Sequence, residues 1–387
     1  MKLLSLSLGL LLAFAAQAAA QKKPRDPEDF YNRGLERQAA GDLEGALADY
    51  DQAIALKPDA LTLSTVYINR ANVMMSKGDY RAAAADLDKA VAANPRSMMA
   101  YYNRGIARSA IEEYDGAIAD FTAAAAIDPK FSLNYINRGS ARVNKGDLEG
   151  ALADFDKAVE VSPEGAMGYY NRGMALQRKG EIDRALADLD RAVKLAPKLP
   201  DAYYTRALAR QQKGDAQGAL ADFDRAVEIK PDEAEYYVAR GGLRRARGEL
   251  DASIADFTRA LELDPAHADA HTNRGIARNM KADAAGALAD FDKAIELNPR
   301  DAVAYVNRGT IRDGRGDLPG AHSDFSLAIS VDPAMAQAYA NRGTVRIRQG
   351  RFEQAEQDIN KAVSLDPSLK PSLEKYLADM KRRRQRQ

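Results

Sequence analysis

Apolar and polar residues alternate along the chain with the period of amphipathic helices. In residues 101–108, Tyr101, Arg104, Gly105 and Arg108 fall on one helix face at i, i+3, i+4 and i+7, which is the spacing of a buried stripe. This stripe is unusual because it places two arginines beside a tyrosine and a glycine. The pattern predicts a helix whose packing face carries positive charge.

A second apolar stripe follows after a short polar interval. Ala117 and Phe121 lie one turn apart, so a small residue allows close helix contact while an aromatic ring fills the neighbouring space. The two stripes predict helices over residues 97–111 and 116–127. The second helix ends before Pro129, because proline disfavours the α conformation in the residue that precedes it.

This helix pair recurs ten times, and we number the repeats 1 to 10 by one arginine in each. These ladder arginines are Arg33, Arg70, Arg104, Arg138, Arg172, Arg206, Arg240, Arg274, Arg308 and Arg342. They stand 34 residues apart, except that the first interval is 37 residues long. In eight repeats a glycine stands in the turn between the two helices, which we call the inner turn. Glycine just past a helix end is typical of a left-handed cap.

The repeat unit resembles that of the tetratricopeptide repeat family. It has a 34-residue helix-turn-helix, an aromatic residue and a glycine in the first helix, alanine–aromatic–alanine in the second, and a closing proline. The resemblance covers residues 29–367 and implies an all-α fold, a right-handed α-solenoid whose first helices line the concave surface. One departure is systematic: arginine stands in all ten repeats at the place before the first-helix glycine, which is alanine in repeats 2 and 6, where the family usually has leucine.

An aspartate on the packing face of each second helix is a candidate partner for this arginine. The equivalent residues are Asp49, Asp86, Asp120, Asp154, Asp188, Asp222, Asp256, Asp290, Asp324 and Asp358. We predict structural ion pairs, within a repeat or across to a neighbour, such as Arg104 with Asp120, Arg138 with Asp154 and Arg172 with Asp188. A second arginine one turn on, such as Arg108, could share the acid. The alternative is a solvated surface arginine.

The opposite face of the first helix is a candidate partner-binding surface, which we call the groove face. It carries Tyr102, Asn103 and Ile106 in repeat 3, and asparagine recurs at Asn32, Asn69, Asn137, Asn171, Asn273, Asn307 and Asn341. An amide both donates and accepts hydrogen bonds, as an extended peptide backbone requires. Alternatively, these amides bond locally between successive first helices.

Large residues on the groove face concentrate in the first six repeats. They include Tyr31, Ile68, Tyr102, Ile136, Tyr170 and Tyr204, so we expect the more apolar part of the groove in the N-terminal half. The family's clamp for two carboxylates requires a lysine where this chain has Tyr, Ile or Val. That activity is therefore not expected.

The two ends of the chain differ from the repeats. Residues 1–20 match a signal peptide, with cleavage after Ala20 or Ala18 or, alternatively, retention as an anchor. Residues 21–28 form a short leader. Residues 368–387 predict a capping helix, with a stripe of Leu373, Tyr376, Leu377 and Met380, and a basic tail. We expect an exported protein, periplasmic or secreted, without a membrane span after cleavage.

Composition and motifs exclude several functions. Lys plus Arg equals Asp plus Glu at 56 each, which does not favour a nucleic-acid partner. The chain has no cysteine, and no phosphate-binding, dinucleotide or nucleophile motif occurs. His267 and His271 have the i, i+4 spacing with which two histidines could bind a metal on one helix face. His271, however, replaces a packing tyrosine, so we expect no metal.

These observations predict a protein without catalytic activity or cofactor. Its expected function is that of a cell-envelope scaffold that binds an extended segment of a protein or peptide partner in its concave groove. The alternative is a structural spacer that uses its convex face and its ends. The sequence leaves the oligomeric state open.

Overall fold

The structure is a computed structural model that describes residues 25–384. The predicted signal peptide, residues 21–24 of the leader and residues 385–387 lie outside this range. The described residues form 21 α-helices and no strand, so the predicted all-α fold is confirmed. Within the described range, no helix has the length and apolar character to cross a membrane.

Among helices α1 to α20, the odd-numbered ones are the first helices of repeats 1 to 10 and the even-numbered ones are the second helices. In chain order they are α1 Pro27–Ala39, α2 Leu43–Ala55, α3 Ala60–Ser76, α4 Tyr80–Ala93, α5 Met98–Ala110, α6 Tyr114–Ile127, α7 Ser132–Lys145, α8 Leu148–Val161, α9 Ala166–Lys179, α10 Ile182–Leu195, α11 Pro200–Gln212, α12 Ala216–Ile229, α13 Ala234–Ala246, α14 Leu250–Leu263, α15 Ala268–Met280, α16 Ala284–Leu297, α17 Ala302–Gly314, α18 Leu318–Val331, α19 Ala336–Arg348 and α20 Phe352–Leu365. A 3₁₀ turn, Pro367–Leu369, leads into α21, Lys370–Arg384.

The inner turns explain the glycine pattern. Eight glycines adopt positive φ there, for example Gly146 at 88°. In repeats 3 and 8, Glu112 and Ala282 take the same conformation at φ 63° without the freedom of glycine. In five of these turns an aspartate follows the glycine and caps the second helix, as Asp147 does by accepting the Gly150 N–H at 2.9 Å.

The chain divides into two compact units between Ala196 and Pro197, with repeats 1–5 in the first and repeats 6–10 in the second. Within each unit, a first helix packs against the second helix of its own repeat, and that second helix packs against the next first helix. Successive first helices also contact one another, which places them on the concave side of each unit.

Each core layer combines small residues with one ring. Phe121 is 1% exposed, and the alanines on either side of it, Ala117 and Ala124, are fully buried. Gly105 lies against this ring so closely that a Cβ atom there would stand 2.7 Å from Phe121 Cε1. In repeat 3 the glycine is therefore favoured by close approach rather than by backbone conformation, whereas repeat 6 packs Ala207 with Phe223 at the equivalent place.

The last helix covers the end of repeat 10 only in part. Leu373 is 4% exposed and packs with Ile359 and Ala362 of α20, and Leu377 is partly buried against the same cluster. Tyr376 is 45% exposed, so the prediction that it belongs to the capping stripe is wrong. The side chain of Met380 lies outside the described set.

We expect Gly105→Ala to lower the free energy of unfolding by about 1–3 kcal/mol, because the new methyl group overpacks the layer at Phe121. The measurement is urea unfolding followed by circular dichroism. Gly242→Ala is the matched control, since its Cβ would meet no atom within 4 Å, and there a gain of up to about 1 kcal/mol is expected from helix propensity. Equal effects of the two substitutions would contradict the packing argument.

Candidate functional site

The ladder arginine binds the buried aspartate of its own repeat. In repeat 3, Arg104 Nε and Nη2 donate to the Asp120 carboxylate at 3.0 and 2.6 Å. The Asp120 side chain is 3% exposed and that of Arg104 is 13% exposed. The structure also brings together Arg138 with Asp154 and Arg172 with Asp188, at 2.5 and 2.7 Å. This arrangement is a fork-to-carboxylate contact, which only arginine can make.

The second arginine shares the same acid. Arg108 Nη1 donates to Asp120 Oδ2 at 2.8 Å, one helical turn beyond Arg104. A buried carboxylate thus receives three charge-assisted bonds from two cations, which compensates the loss of its hydration. The bond to Asp188 is also the main reason that the pKa of Arg172 is raised.

A further contact crosses the boundary between repeats, and sequence reasoning did not identify its acceptor. Arg104 Nη1 donates at 2.8 Å to Asp88, which lies on α4 of the preceding repeat. The equivalent acceptors are Asp51, Thr122, Asp156, Asp224, Thr258, Asp292 and Ser326. In the sequence, these acceptors stand two residues after the buried aspartate and give the patterns Asp-x-Asp, Asp-x-Thr or Asp-x-Ser.

An aromatic ring completes the surroundings of the ladder arginine. The Arg104 guanidinium carbon lies 5.4 Å from the centre of the Tyr101 ring, one turn earlier on α5. In repeat 8 the equivalent residue is His271, whose Nδ1 faces Asp290 Oδ1 at 3.4 Å. The apolar stripe and the two arginines of this face therefore form one cluster of ring, guanidinium and carboxylate.

His322 inserts an ionisable group beside the ladder of repeats 9 and 10. It stands on α18, where the preceding repeat has Leu288, and its Nε2 accepts from Arg346 Nε at 3.4 Å. Burial lowers the pKa of His322, and the nearby charges of Arg346 and Arg342 lower it further. The neutral imidazole is therefore favoured in the folded chain.

On the groove face, the larger side chains are anchored at their base. Tyr102 is half-buried, and its ring centre lies 5.9 Å from that of Phe121 and 5.2 Å from that of Phe131. Ile106 packs beside it in the same cluster. Tyr170 is likewise half-buried, and Ile136 is 8% exposed. These residues present edges rather than whole side chains to the concave side.

The groove-face asparagines bond within the chain. Asn103 Nδ2 donates to Asn72 Oδ1 at 2.8 Å, which joins two successive first helices. Asn137 and Asn69 donate to the hydroxyl oxygens of Tyr102 and Tyr31 at 3.0 and 3.1 Å. These three contacts correspond to the local-bonding alternative of the sequence analysis.

Three further asparagines follow a second local pattern. Asn171, Asn273 and Asn307 each donate to the backbone carbonyl four residues earlier, at 2.8, 2.9 and 2.8 Å. Asn341 accepts from Gln337 at 2.7 Å, and Asn32 is exposed on α1. A partner backbone would therefore bind to amides that already have one bond each in most repeats.

Three exposed apolar residues of the groove face were missed from sequence. Met99, Leu133 and Met167 stand five residues before the ladder arginines of repeats 3, 4 and 5, and they are 43%, 39% and 42% exposed. We call these three residues the apolar row. Their signal was the same 34-residue spacing, in a column that holds a charged or polar residue in every other repeat except repeat 9, which has Val303.

In repeats 6 to 8 of the second compact unit the same column is acidic, whereas repeats 9 and 10 have Val303 and Gln337 there. Asp201, Glu235 and Asp269 take these places in repeats 6, 7 and 8, and all three are exposed. The Tyr204 hydroxyl donates to Glu235 at 3.3 Å. Burial, followed by the charge of Glu235, raises the pKa of Tyr204, so its hydroxyl stays protonated. Repeats 3–5 and repeats 6–8 therefore present different chemistry at this column.

The histidine pair considered as a metal site has two separate sets of contacts. His267 caps α15 and accepts the Ala270 N–H at 3.3 Å, whereas His271 Nε2 lies 3.2 Å from the Pro265 carbonyl oxygen. The i, i+4 spacing thus brings the two residues onto one helix but leaves each ring directed at its own local partners.

Comparison with protein families matches the repeats directly. Models described as Tetratricopeptide repeat match residues 68–130, 136–200, 172–244 and 336–369, and one described as TPR repeat matches residues 241–280. The chain belongs to the tetratricopeptide repeat family. Proteins of this family bind protein or peptide partners, and their repeat scaffold is generally non-catalytic.

No curated protein sequence matches this tetratricopeptide repeat chain. Among solved structures, a tetratricopeptide repeat protein from Parabacteroides merdae is 18% identical, over 65% of this chain and 99% of its own, with a TM-score of 0.54. A chain of the APC/C hetero-tetramer Cut9-Hcn1 is 14% identical, over 88% of this chain and 74% of its own, with a TM-score of 0.50. YrrB, a TPR protein with an unusual peptide-binding site, is 29% identical, over 48% and 95%, with a TM-score of 0.42. The first two likenesses show the fold.

We expect Asp324→Asn to lower the free energy of unfolding by about 3–5 kcal/mol, because it leaves Arg308 and Arg312 without their buried acceptor charge. Urea and thermal unfolding measure the loss. Asp292→Asn is the matched control on the same arginine. Asp292 is 58% exposed, so its removal should cost at most about 1 kcal/mol. A reversed order would show that the cross-repeat contact dominates.

We expect the second unit to lose stability as the pH falls below 6.5, the ordinary pKa of histidine. The folded-state pKa of His322 is lowered, so the unfolded chain binds more protons in this range and stability rises with pH. Thermal unfolding between pH 7.5 and 5.5 checks this, with His322→Leu as the comparison. The variant should show a smaller decline, and identical slopes would contradict the assignment.

Proposed function

We propose that this protein is a non-catalytic scaffold that binds an extended segment of another protein along its concave side. The observation that carries the proposal is the apolar row of Met99, Leu133 and Met167, each about two-fifths exposed on three successive first helices. Exposed apolar residues scattered singly need no explanation, but a contiguous row on a concave surface is typical of an interaction site.

The spacing of the row favours an extended partner. First helices in contact stand roughly 8–10 Å apart, and an extended chain in the polyproline II conformation advances about 3.1 Å per residue with three residues per turn. A partner segment in this conformation that crosses these helices would therefore place every third side chain over the row. We infer a segment with apolar residues at about i, i+3 and i+6.

The row by itself does not supply a stable complex. Full burial of an apolar side chain contributes roughly 1.5–3 kcal/mol, so covering the exposed parts of these three gives about 2–4 kcal/mol. Micromolar affinity requires about 8 kcal/mol. The half-buried edges of Tyr102 and Tyr170 and the second hydrogen of Asn137 lie on the same face and supply the further contacts. Because these side chains are already held by the chain, little conformational entropy is lost on binding.

We place this scaffold in the cell envelope, on the basis of the signal-like residues 1–20 and the absence of cysteine. Cell fractionation of a C-terminally tagged chain, followed by N-terminal sequencing of the mature protein, tests the location. A mature N-terminus at residue 19 or 21 in the periplasmic or secreted fraction supports it. A cytoplasmic chain that retains Met1 would contradict it.

We expect Met99→Ser, Leu133→Ser and Met167→Ser together to reduce partner capture at least tenfold, because the variant removes the apolar contact without touching the core. Affinity capture from the native compartment with quantitative mass spectrometry measures the change. Circular dichroism should show unchanged helix content.

The control variant combines Ile127→Ser and Leu327→Ser. These residues are 41% and 42% exposed, as the row is, but they lie on the second helices α6 and α18. Capture should persist in this control. If the control variant lost the partners and the row variant kept them, binding would take place on the other side and the groove proposal would fail.

A further inference from the structure

The first helix of repeat 7 departs from the other repeats at three groove-face positions. In α13, Ala239 replaces the groove asparagine, Gly242 stands where repeat 8 has Ile276, and Arg245 stands where repeat 8 has Asn279. Residues 239, 242 and 245 are three apart, so they share one helix face. The stretch thus combines two small residues with one cation on the concave side.

Gly242 has no structural cause within the described chain. It lies in mid-helix with negative φ, and a Cβ atom added there would meet nothing within 4 Å. By contrast, the neighbouring Gly241 is packed against Phe257, at 3.1 Å from its added Cβ. A mid-helix glycine lowers helix stability by about 1 kcal/mol relative to alanine. What Gly242 does provide is open space above the helix.

Arg245 borders this space and carries a charge that the chain does not compensate. Arg245 is half-buried, yet no carboxylate of the described residues lies within ion-pair distance of it. By contrast, the adjacent Arg244 binds Asp256 at 2.9 Å. Among the described arginines, every other half-buried one has a carboxylate partner.

The hydrogen bonding of Arg245 is incomplete as well. Its Nη2 donates to Asn273 Oδ1 at 3.4 Å, which is a long bond, and its Nε is shielded from solvent with no acceptor among the described residues. Asn273 is itself held by the carbonyl of Asp269, which directs its oxygen towards Arg245. A desolvated cationic donor without an acceptor is costly, so an acceptor that arrives with a ligand would be bound favourably.

We propose that the open space above Gly242 receives a carboxylate side chain, glutamate or aspartate, of the bound partner segment, and that Arg245 pairs with it. This inference rests on the proposed function, because it assigns one residue of a partner segment to the concave side of the second unit. The acidic residue Glu235 does not compete, since ten residues along a helix correspond to about 15 Å. The lack of an asparagine at Ala239 leaves the side chain room to enter.

The test begins with linear peptides selected from a displayed random library on the full chain. A selected peptide that contains glutamate is then compared with its Glu→Gln counterpart, by fluorescence anisotropy, on the full chain and on the Arg245→Gln variant. We expect the glutamate peptide to bind the full chain at least tenfold more tightly than the glutamine peptide. On Arg245→Gln the ratio should approach one, as a double-mutant cycle requires for a direct pair.

Gly242→Leu is the second variant, and it keeps the charge while filling the space. We expect this variant to fold, because a Cβ atom added at residue 242 would meet no atom within 4 Å and leucine is a better helix former than glycine. It should weaken the glutamate peptide at least tenfold, with unchanged helix content. A ratio that persists in Arg245→Gln, or unaltered binding to Gly242→Leu, overturns this inference while the scaffold proposal stands. If no peptide binds the full chain, both proposals fail.

Discussion

The carboxylate buried at the centre of each repeat is the group on which the rest of the fold depends. Asp120 is almost fully withdrawn from water, and it is tolerable there only because two arginines donate to it. Those arginines occupy the packing face of the first helix, so the face must pair with one particular second helix. A leucine at this place would pack equally well against several neighbours. The polar network thus selects register among ten near-identical units, at little net gain over apolar packing.

The sequence predicted the fold almost completely, because the 34-residue period, the turn glycines and the closing prolines are local signals that agree with one another. It also predicted which arginine and aspartate series would face each other. It did not predict that Arg104 would reach back to Asp88, since which second helix lies beside a given first helix is a property of the stacked repeats. The exposed Tyr376 shows the same limit at the chain end, where no following repeat fixes the packing.

The candidate binding surface was harder to predict than the core for a physical reason. A core position is constrained by its neighbours within one repeat, whereas a groove position is constrained by a partner that the sequence does not contain. Asn103 and Met99 lie on the same face of α5, yet one is 5% exposed and bonded to Asn72 and the other is 43% exposed. The local bonds of the asparagines and the exposure of the apolar row became distinguishable only with side-chain positions.

Each repeat carries its own buried acid, and repeats 1–4 and 6–9 also present a second acceptor to the arginine that follows. Duplication of a whole 34-residue unit would therefore leave every buried charge with its partner. Loss of part of a unit would leave a buried arginine or aspartate without its partner. The last repeat has Asn360 where an acceptor aspartate would stand, and no ladder arginine follows it. The array can thus change its length during evolution only in whole units, and its final unit ends without an uncompensated negative charge.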